Sequence, residues 1–297
     1  MINRPKPQKN RLRRTMMFMN AQKPGLIKDA YIYGSDSIIL DLEDAVAENQ
    51  KDAAGFSLYH ALKSIDYGDT EVIVRINGLD TPHWEEDIRV CVAGGADGIR
   101  IAKCENAEMV RQVEEKVLEA EREFGVEEGR TLLMAALESP LGIMNAYEIV
   151  TASDRMFGCA ISGGDFRKSM HVQIQKDGIE MITARGQMLL AARAAGVQCF
   201  DTMYPNLDDM EGFKAEVIQN HKMGFDGKSI INPKQIAFVH ETFAPSQKEI
   251  RYAEKLVRSC QAQADAGIGV YTVDGKMVDI PFFEDAKRII AVSYTHL

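Results

Sequence analysis

The chain has 297 residues, 45% of them hydrophobic, with 44 acidic against 35 basic side chains and a formal net charge of −9. It is long enough to bury the core of one large α/β domain, and its acidity argues against nucleic acid or an anionic membrane surface as the main partner. No apolar run of membrane-spanning length occurs and the first twenty residues lack the apolar stretch of a secretory signal, so a cytoplasmic protein is expected.

A basic arm opens the chain. Arg4, Lys6, Lys9, Arg11, Arg13 and Arg14 all come before the first acid, Asp29. Such a start invites a nucleic-acid or targeting reading, but residues 1–14 read first as a solvated arm that leads into the first strand, where it could help with an anionic carrier, and Arg14 is a candidate substrate contact. Short apolar or β-branched runs then alternate with longer segments of helical period. The runs are 15–19, 37–42, 71–76, 98–102, 132–137, 156–161, 198–202 and 228–231. Between them, stretches 45–65, 107–124, 179–195 and 207–223 are long enough for crossover helices. Eight such units predict a (β/α)8 TIM barrel over residues 15–244. A C-terminal helical extension is expected over 245–297, with a hairpin at the tight-turn signal Asp274-Gly275 that carries Asp279. By sequence alone Asp279 reads rather as a helix cap, since Ile280-Pro281 follows.

Five cysteines, Cys91, Cys104, Cys159, Cys199 and Cys260, stand singly, which suits reduced thiols better than a disulfide framework. The six histidines keep none of the spacings of a zinc site. The chemistry is therefore sought among carboxylates and cations at the carboxyl ends of the strands, where barrel enzymes carry it. The first polar residues at or after those ends include Asn20; Asp41, Glu43 and Asp44; Arg75 and Asn77; Lys103; Glu138; Asp165; Asp201; and Asn232. Any one of them is an ordinary turn former or cap. Together they point to a site.

Residues 37–46, Ser-Ile-Ile-Leu-Asp-Leu-Glu-Asp-Ala-Val, place three carboxylates in four positions. Strand alternation puts Asp41 and Glu43 on one face, opposite Leu40 and Leu42, and in a barrel that face points inward. Asp44 directly precedes the helical segment expected from Ala45, so capping and a site role both stand open. Crowded carboxylates call for a cation, and Arg75, Lys103 and a metal are the candidates. Glu138 and Asp165 close the fifth and sixth runs, and adjacent strands would bring them together. Two hard oxygen ligands with no histidine or cysteine beside them suit Mg²⁺ completed by water and substrate. The plainer alternative is a loop cap at Asp165 and a buried, paired Glu138.

At this point a family resemblance enters. Arg-Leu-Arg-Arg-Thr at 11–15, the 37–46 segment, Val-Arg-Ile-Asn-Gly-Leu-Asp-Thr-Pro at 74–82, Gly-Phe-Asp-Gly-Lys-Ser-Ile-Ile-Asn-Pro-Lys-Gln at 224–235 and Asp-Gly-Lys-Met-Val-Asp-Ile-Pro at 274–281 resemble the citrate lyase β family. That family lies within the HpcH/HpaI aldolase and malate synthase-like superfamily of acyl-CoA lyases. The resemblance implies Mg²⁺-dependent cleavage of a citryl thioester, on acyl carrier protein or CoA, to oxaloacetate and an acetyl thioester. It implies Glu138 and Asp165 as metal ligands, Arg75 as the arginine that holds the keto acid, and Glu43 and Asp44 as acids around the metal and its waters. Lys103 matches the lysine of a usual Pro-Lys pair, and Glu138 and Lys103 are expected to contact substrate.

Asp279 matches an aspartate on a mobile C-terminal segment that covers an active site, often a neighbouring subunit's, and acts as acid or base at the acetyl carbon. Implied partners are a citrate lyase α subunit, an acyl carrier (γ) subunit and further copies of the chain in a homotrimer or hexamer. A related malyl- or citramalyl-CoA lyase or thioesterase, and a non-catalytic scaffold subunit, are the alternatives. The chain departs from the family pattern at Met19-Asn20-Ala21 in place of Val-Pro-Gly, at Gly164 in place of glutamate, and at Ala102 in place of proline. The tail at 293–297, Ser-Tyr-Thr-His-Leu, reads as a truncation or foreign sequence where relatives continue in apolar helix.

Overall fold

Eight parallel strands close on one another in sequence order: β1 (Thr15–Asn20), β2 (Ser37–Asp41), β3 (Glu71–Arg75), β4 (Gly98–Ile101), β5 (Leu132–Leu137), β6 (Met156–Ile161), β7 (Gln198–Asp201) and β8 (Gly227–Ile230). The computed structural model describes residues 5–265 and 270–294, so Arg4 and residues 295–297 of the tail lie outside it. Closure comes from β8 pairing with β1, Thr15 opposite Lys228 through Met17 opposite Ile230. The chain is a (β/α)8 barrel, and each strand begins and ends within one residue of its predicted run. All residues of β2, β3, β5 and β6 are buried, as a sheet covered on both faces requires. Met16, Ile39, Ile73, Met134, Phe157 and Phe200 fill the interior.

The helices of the barrel are α1 (Pro24–Ile27), α2 (Lys51–Ser64), α3 (Trp84–Gly94), α4 (Ala107–Phe124), α5 (Pro140–Met144), α6 (Ala146–Val150), α7 (Gly163–Ser169), α8 (Ile179–Ala195), α9 (Met210–Met223) and α10 (Ile236–Phe243). Two of them, α4 and α8, have their predicted bounds. Asn106 starts α4 by accepting the Met109 N–H at 3.0 Å, and left-handed Gly125 ends it. The 45–65 stretch differs. Its α-helix starts at Lys51, after a 3₁₀ turn over Glu48–Gln50. The cause is Asp41, whose carboxylate accepts the N–H groups of Glu43 at 3.0 Å and Ala45 at 3.2 Å and so holds this segment as a turn. Asp44 therefore caps no helix at Ala45, and its side chain is 56% exposed. Likewise α9 starts at Met210, because Asp209 accepts the Gly212 N–H at 2.9 Å.

Buried ion pairs secure the barrel at both ends of its strands. Arg13, which precedes β1, holds Glu71 at the start of β3 through two bonds of 2.6 and 2.7 Å. Asp201, at the end of β7, is fully buried against Arg185 of α8 at 2.8 Å, Lys228 of β8 at 2.9 Å and Asn220. These cations hold its carboxyl far below the usual range against the cost of burial. Gly227 admits the chain entering β1, since a Cβ there would meet the Arg13 carbonyl at 2.0 Å.

Contacts divide the chain into two units, one to Val239 and one from His240. The second contains α11 (Gln247–Asp265), a hairpin of β9 (Tyr271–Val273) and β10 (Lys276–Val278), and α12 (Ile280–Tyr294). Asp274 at φ 51° and Gly275 at φ 76° turn the hairpin, both left-handed as a type I′ turn needs. Ala253, Leu256, Val273, Val278 and Ala286 form this unit's own core.

Candidate active site at the barrel mouth

The carboxylates of 41–44 meet their cations on the neighbouring strands. Asp41 and Arg75 are register partners at the ends of β2 and β3. Arg75 donates to Asp41 through Nε and Nη2, both at 2.7 Å, the planar fork that a carboxylate fits best. Its Nη1 stands 2.8 Å from Glu43 and 3.5 Å from Asp44. Lys103, two residues beyond β4, reaches Glu43 at 2.6 Å. Burial works against the charge on Arg75, but Asp41, Glu43 and Glu138 outweigh it and hold the guanidinium above its ordinary value. Lys103 is raised chiefly by its bond to Glu43, with Asp44 and Asp165 adding to it. Its backbone sits at φ 48°, in the left-handed region that is strained for a lysine.

Glu138 directly follows β5 and is 2% exposed. Neither of its carboxylate oxygens accepts a hydrogen bond of regular geometry. Burial pushes its carboxyl up to about 7, against the opposing pull of Arg75 and Arg100. The adjacent strand β6, with Ile161 opposite Leu137, leads into the first turn of α7, where half-buried Asp165 stands. Asp165 lines a cavity of about 430 Å³ together with Asn20, Asp44, Arg75, Arg100 and Ser162.

These residues fit a small hard cation. A buried carboxylate without a hydrogen bond of regular geometry is a costly arrangement, and Glu138, just after β5, and Asp165, in the helical turn after β6, are an all-oxygen donor pair following neighbouring strands. Among the described residues no group of three or more His, Cys, Asp or Glu side chains is placed to hold a metal. A cation here would therefore draw most of its coordination from water and substrate, the habit of Mg²⁺.

Not every residue singled out within the barrel unit comes to this mouth. Arg14 lies at the opposite, amino end of β1, with its guanidinium bound to Asp36 by bonds of 2.7 and 2.8 Å. Asp279 belongs to the second unit, between β10 and α12, where its carbonyl accepts the Phe283 N–H at 3.3 Å. Asn232 caps the short turn Pro233–Gln235 by accepting the Lys234 N–H. Conversely, Arg100, Phe18 and Ser162 line the cavity and were not singled out. The signal for Arg100 was its place between Ile99 and Ile101, which strand alternation turns to the opposite face. Cys91, Cys104, Cys159 and Cys199 are buried free thiols. No described helix is long and apolar enough to cross a membrane.

Comparison with known proteins extends this picture. A family model described as HpcH/HpaI aldolase/citrate lyase matches residues 14–233. The chain is 47% identical over 283 residues to the citrate lyase subunit beta of Leuconostoc mesenteroides subsp. cremoris, spanning 95% of this chain and 94% of that one. It is 40% identical over 284 residues to the citrate lyase subunit beta of Escherichia coli strain K12, spanning 96% and 94%. Among solved structures it is similar to the protein CitE from Mycobacterium tuberculosis in complex with magnesium, acetoacetate and coenzyme A. That match has a TM-score of 0.77 and 26% identity and covers 97% of this chain and 100% of the other.

Proposed function

The chain belongs to the HpcH/HpaI aldolase/citrate lyase family, and from that premise we propose that it is the β subunit of a citrate lyase. In this reading it is a Mg²⁺-dependent lyase that cleaves a citryl thioester, on an acyl carrier subunit or on CoA, to oxaloacetate and an acetyl thioester. An α subunit that exchanges acetyl for citrate is its further partner. The observation that carries the reading is Glu138, a buried carboxylate without a hydrogen bond of regular geometry, set just after β5 and near two arginines, on the strand adjacent to the one that leads to Asp165.

The reaction removes a proton from a tertiary hydroxyl, breaks the bond from its carbon to the thioester methylene, and leaves a ketone and a thioester enolate. Glu138 and Asp165 would hold the Mg²⁺, which when bound supplies Lewis-acid polarisation of the hydroxyl and a template for the substrate. Arg75, fixed by Asp41, donates to the carboxylate that becomes part of oxaloacetate. Its orientation is set before substrate arrives, so little ordering remains at the reacting step. Glu43, between Arg75 and Lys103, is the group we assign to accept the hydroxyl proton, with Asp44 beside it. Lys103 keeps Glu43 in place and adds positive charge for the anionic substrate. Asp279 is assigned to deliver a proton to the enolate carbon.

The assignment of the metal ligands is tested by calorimetric titration with Mg²⁺. Glu138→Gln and Asp165→Asn keep side-chain shape and remove charge, so each should weaken binding by at least about tenfold, a difference of about 1.4 kcal/mol. Unchanged affinity in either variant removes that residue from the metal site.

A further inference from the structure

One buried cation at the barrel mouth has no carboxylate partner in the site described above. Six arginines among the described residues are buried: Arg13, Arg75, Arg100, Arg155, Arg167 and Arg185. Five of them hold a carboxylate: Glu71 at 2.6 Å, Asp41 at 2.7 Å, Glu121 at 2.7 Å, Glu180 at 2.7 Å and Asp201 at 2.8 Å, respectively. Arg100 is the exception, with no carboxylate at ion-pairing distance among the described residues. It is 1% exposed. Its one hydrogen bond runs from Nη2 to the Ser162 hydroxyl at 2.9 Å, and its Nε and Nη1 are buried without a partner.

The position of Arg100 says what it awaits. It is the register partner of Arg75 on the adjacent strand. The two guanidinium carbons lie 5.3 and 5.2 Å from the centroid of the same Phe18 ring, and both arginines line the same cavity. Arg75 is neutralised by Asp41 and Glu43, whereas Arg100 faces a like charge and is drawn down to about 10, chiefly by burial. A buried, unpaired guanidinium is costly to keep, and an anionic ligand arriving in the cavity would satisfy it.

We propose that Arg100 is a specificity-determining residue that binds the second carboxylate of a dicarboxylic 2-oxo acid. Arg75 takes the carboxylate next to the carbonyl, and Arg100 takes the one at the far end. The proposal rests on the lyase reading and narrows its substrate class. In a citryl thioester the two free carboxylates are the one on the central carbon and the one on the carboxymethyl arm, and the two arginines supply one donor set for each. A substrate lacking the arm carboxylate leaves Arg100 buried and unpaired, which is how a polar pocket rejects a smaller analogue strongly.

The test is calorimetric titration of the full chain, in Mg²⁺, with oxaloacetate and with pyruvate, a 2-oxo acid that has only the first carboxylate. The wild type should bind oxaloacetate at least about tenfold more tightly. Arg100→Met should keep its pyruvate affinity within about threefold and lose the preference for the diacid. Arg100→Lys, which retains the charge without the fork, should keep part of it. Pyruvate binding reports that each variant is folded, and Arg100→Lys carries the test if Arg100→Met does not fold. A folded variant that retains the wild-type preference, or a wild type that shows none, overturns the role of Arg100 alone. A wild type that binds neither acid defeats the lyase reading and the proposal with it.

Discussion

Arg75 and Asp41 stand opposite each other at the ends of β3 and β2, joined by two hydrogen bonds of 2.7 Å. The same Asp41 carboxylate also accepts two N–H groups of the turn that carries Glu43 and Asp44. One residue thus fixes both the direction of the arginine and the path of the acidic loop. Arg75→Lys keeps a cation beside the carboxylates but loses the fork. Turnover should fall about tenfold or more, equivalent to about 1.4 kcal/mol of transition-state binding. The fold should survive. Steady-state rates with a thermal melt on the same sample check this, and a wild-type rate would reassign Arg75 to a structural ion pair.

Glu138 yields a prediction about pH in the metal-free protein. Its carboxyl rises from an ordinary 4.5 to about 7, chiefly through burial. Between those values the folded chain holds a proton that the unfolded chain has released, so this group's contribution to stability is full below about 4.5 and is lost as pH rises through about 7. The loss is on the order of 3 kcal/mol. Glu138→Gln has no such proton to lose. Urea unfolding of metal-free protein at pH 5 and pH 8 should show a smaller decline in the variant than in the wild type. Equal declines would mean that Glu138 is not strained by its burial.

Asp279 should be separable from the metal site. Asp279→Asn is expected to fold, to bind Mg²⁺ as the wild type does, and to lose at least about a hundredfold in lyase turnover, the usual contribution of a positioned proton donor. Mixing it with inactive Glu138→Gln, under conditions that exchange subunits, should restore part of the activity if one copy's Asp279 serves another copy's barrel. Full activity in Asp279→Asn would end its assignment as donor. No recovery after demonstrated exchange would count against shared sites.

The barrel was legible in the sequence because each strand is a short apolar run closed by a polar residue, and the closing residues fall at the mouth. Asp41, Glu43, Arg75, Lys103, Glu138 and Asp165 could be found this way without knowing which would touch. Asp201 met the same criterion and proved structural, because its partners Arg185 and Lys228 come from α8 and β8 and nothing near it in sequence announces them. The start of α2 was misjudged at Ala45 for a related reason. Helical period is visible in the sequence, whereas the competing bonds from Asp41 to the turn are not. Arg14 precedes β1 and so sits at the amino end, away from the mouth. Arg100 was hidden inside a run counted as apolar. Only the closed barrel shows that the face it shares is the cavity.

The most direct measurement of the whole account is a product assay with purified protein, following oxaloacetate release from citryl-CoA and glyoxylate release from malyl-CoA, each with Mg²⁺ and with a chelator. A citrate lyase β subunit should release oxaloacetate from citryl-CoA only when Mg²⁺ is present, and malyl-CoA should be cleaved at least about tenfold more slowly. Preferential cleavage of malyl-CoA, chelator-resistant cleavage of citryl-CoA, or silence on both would contradict it.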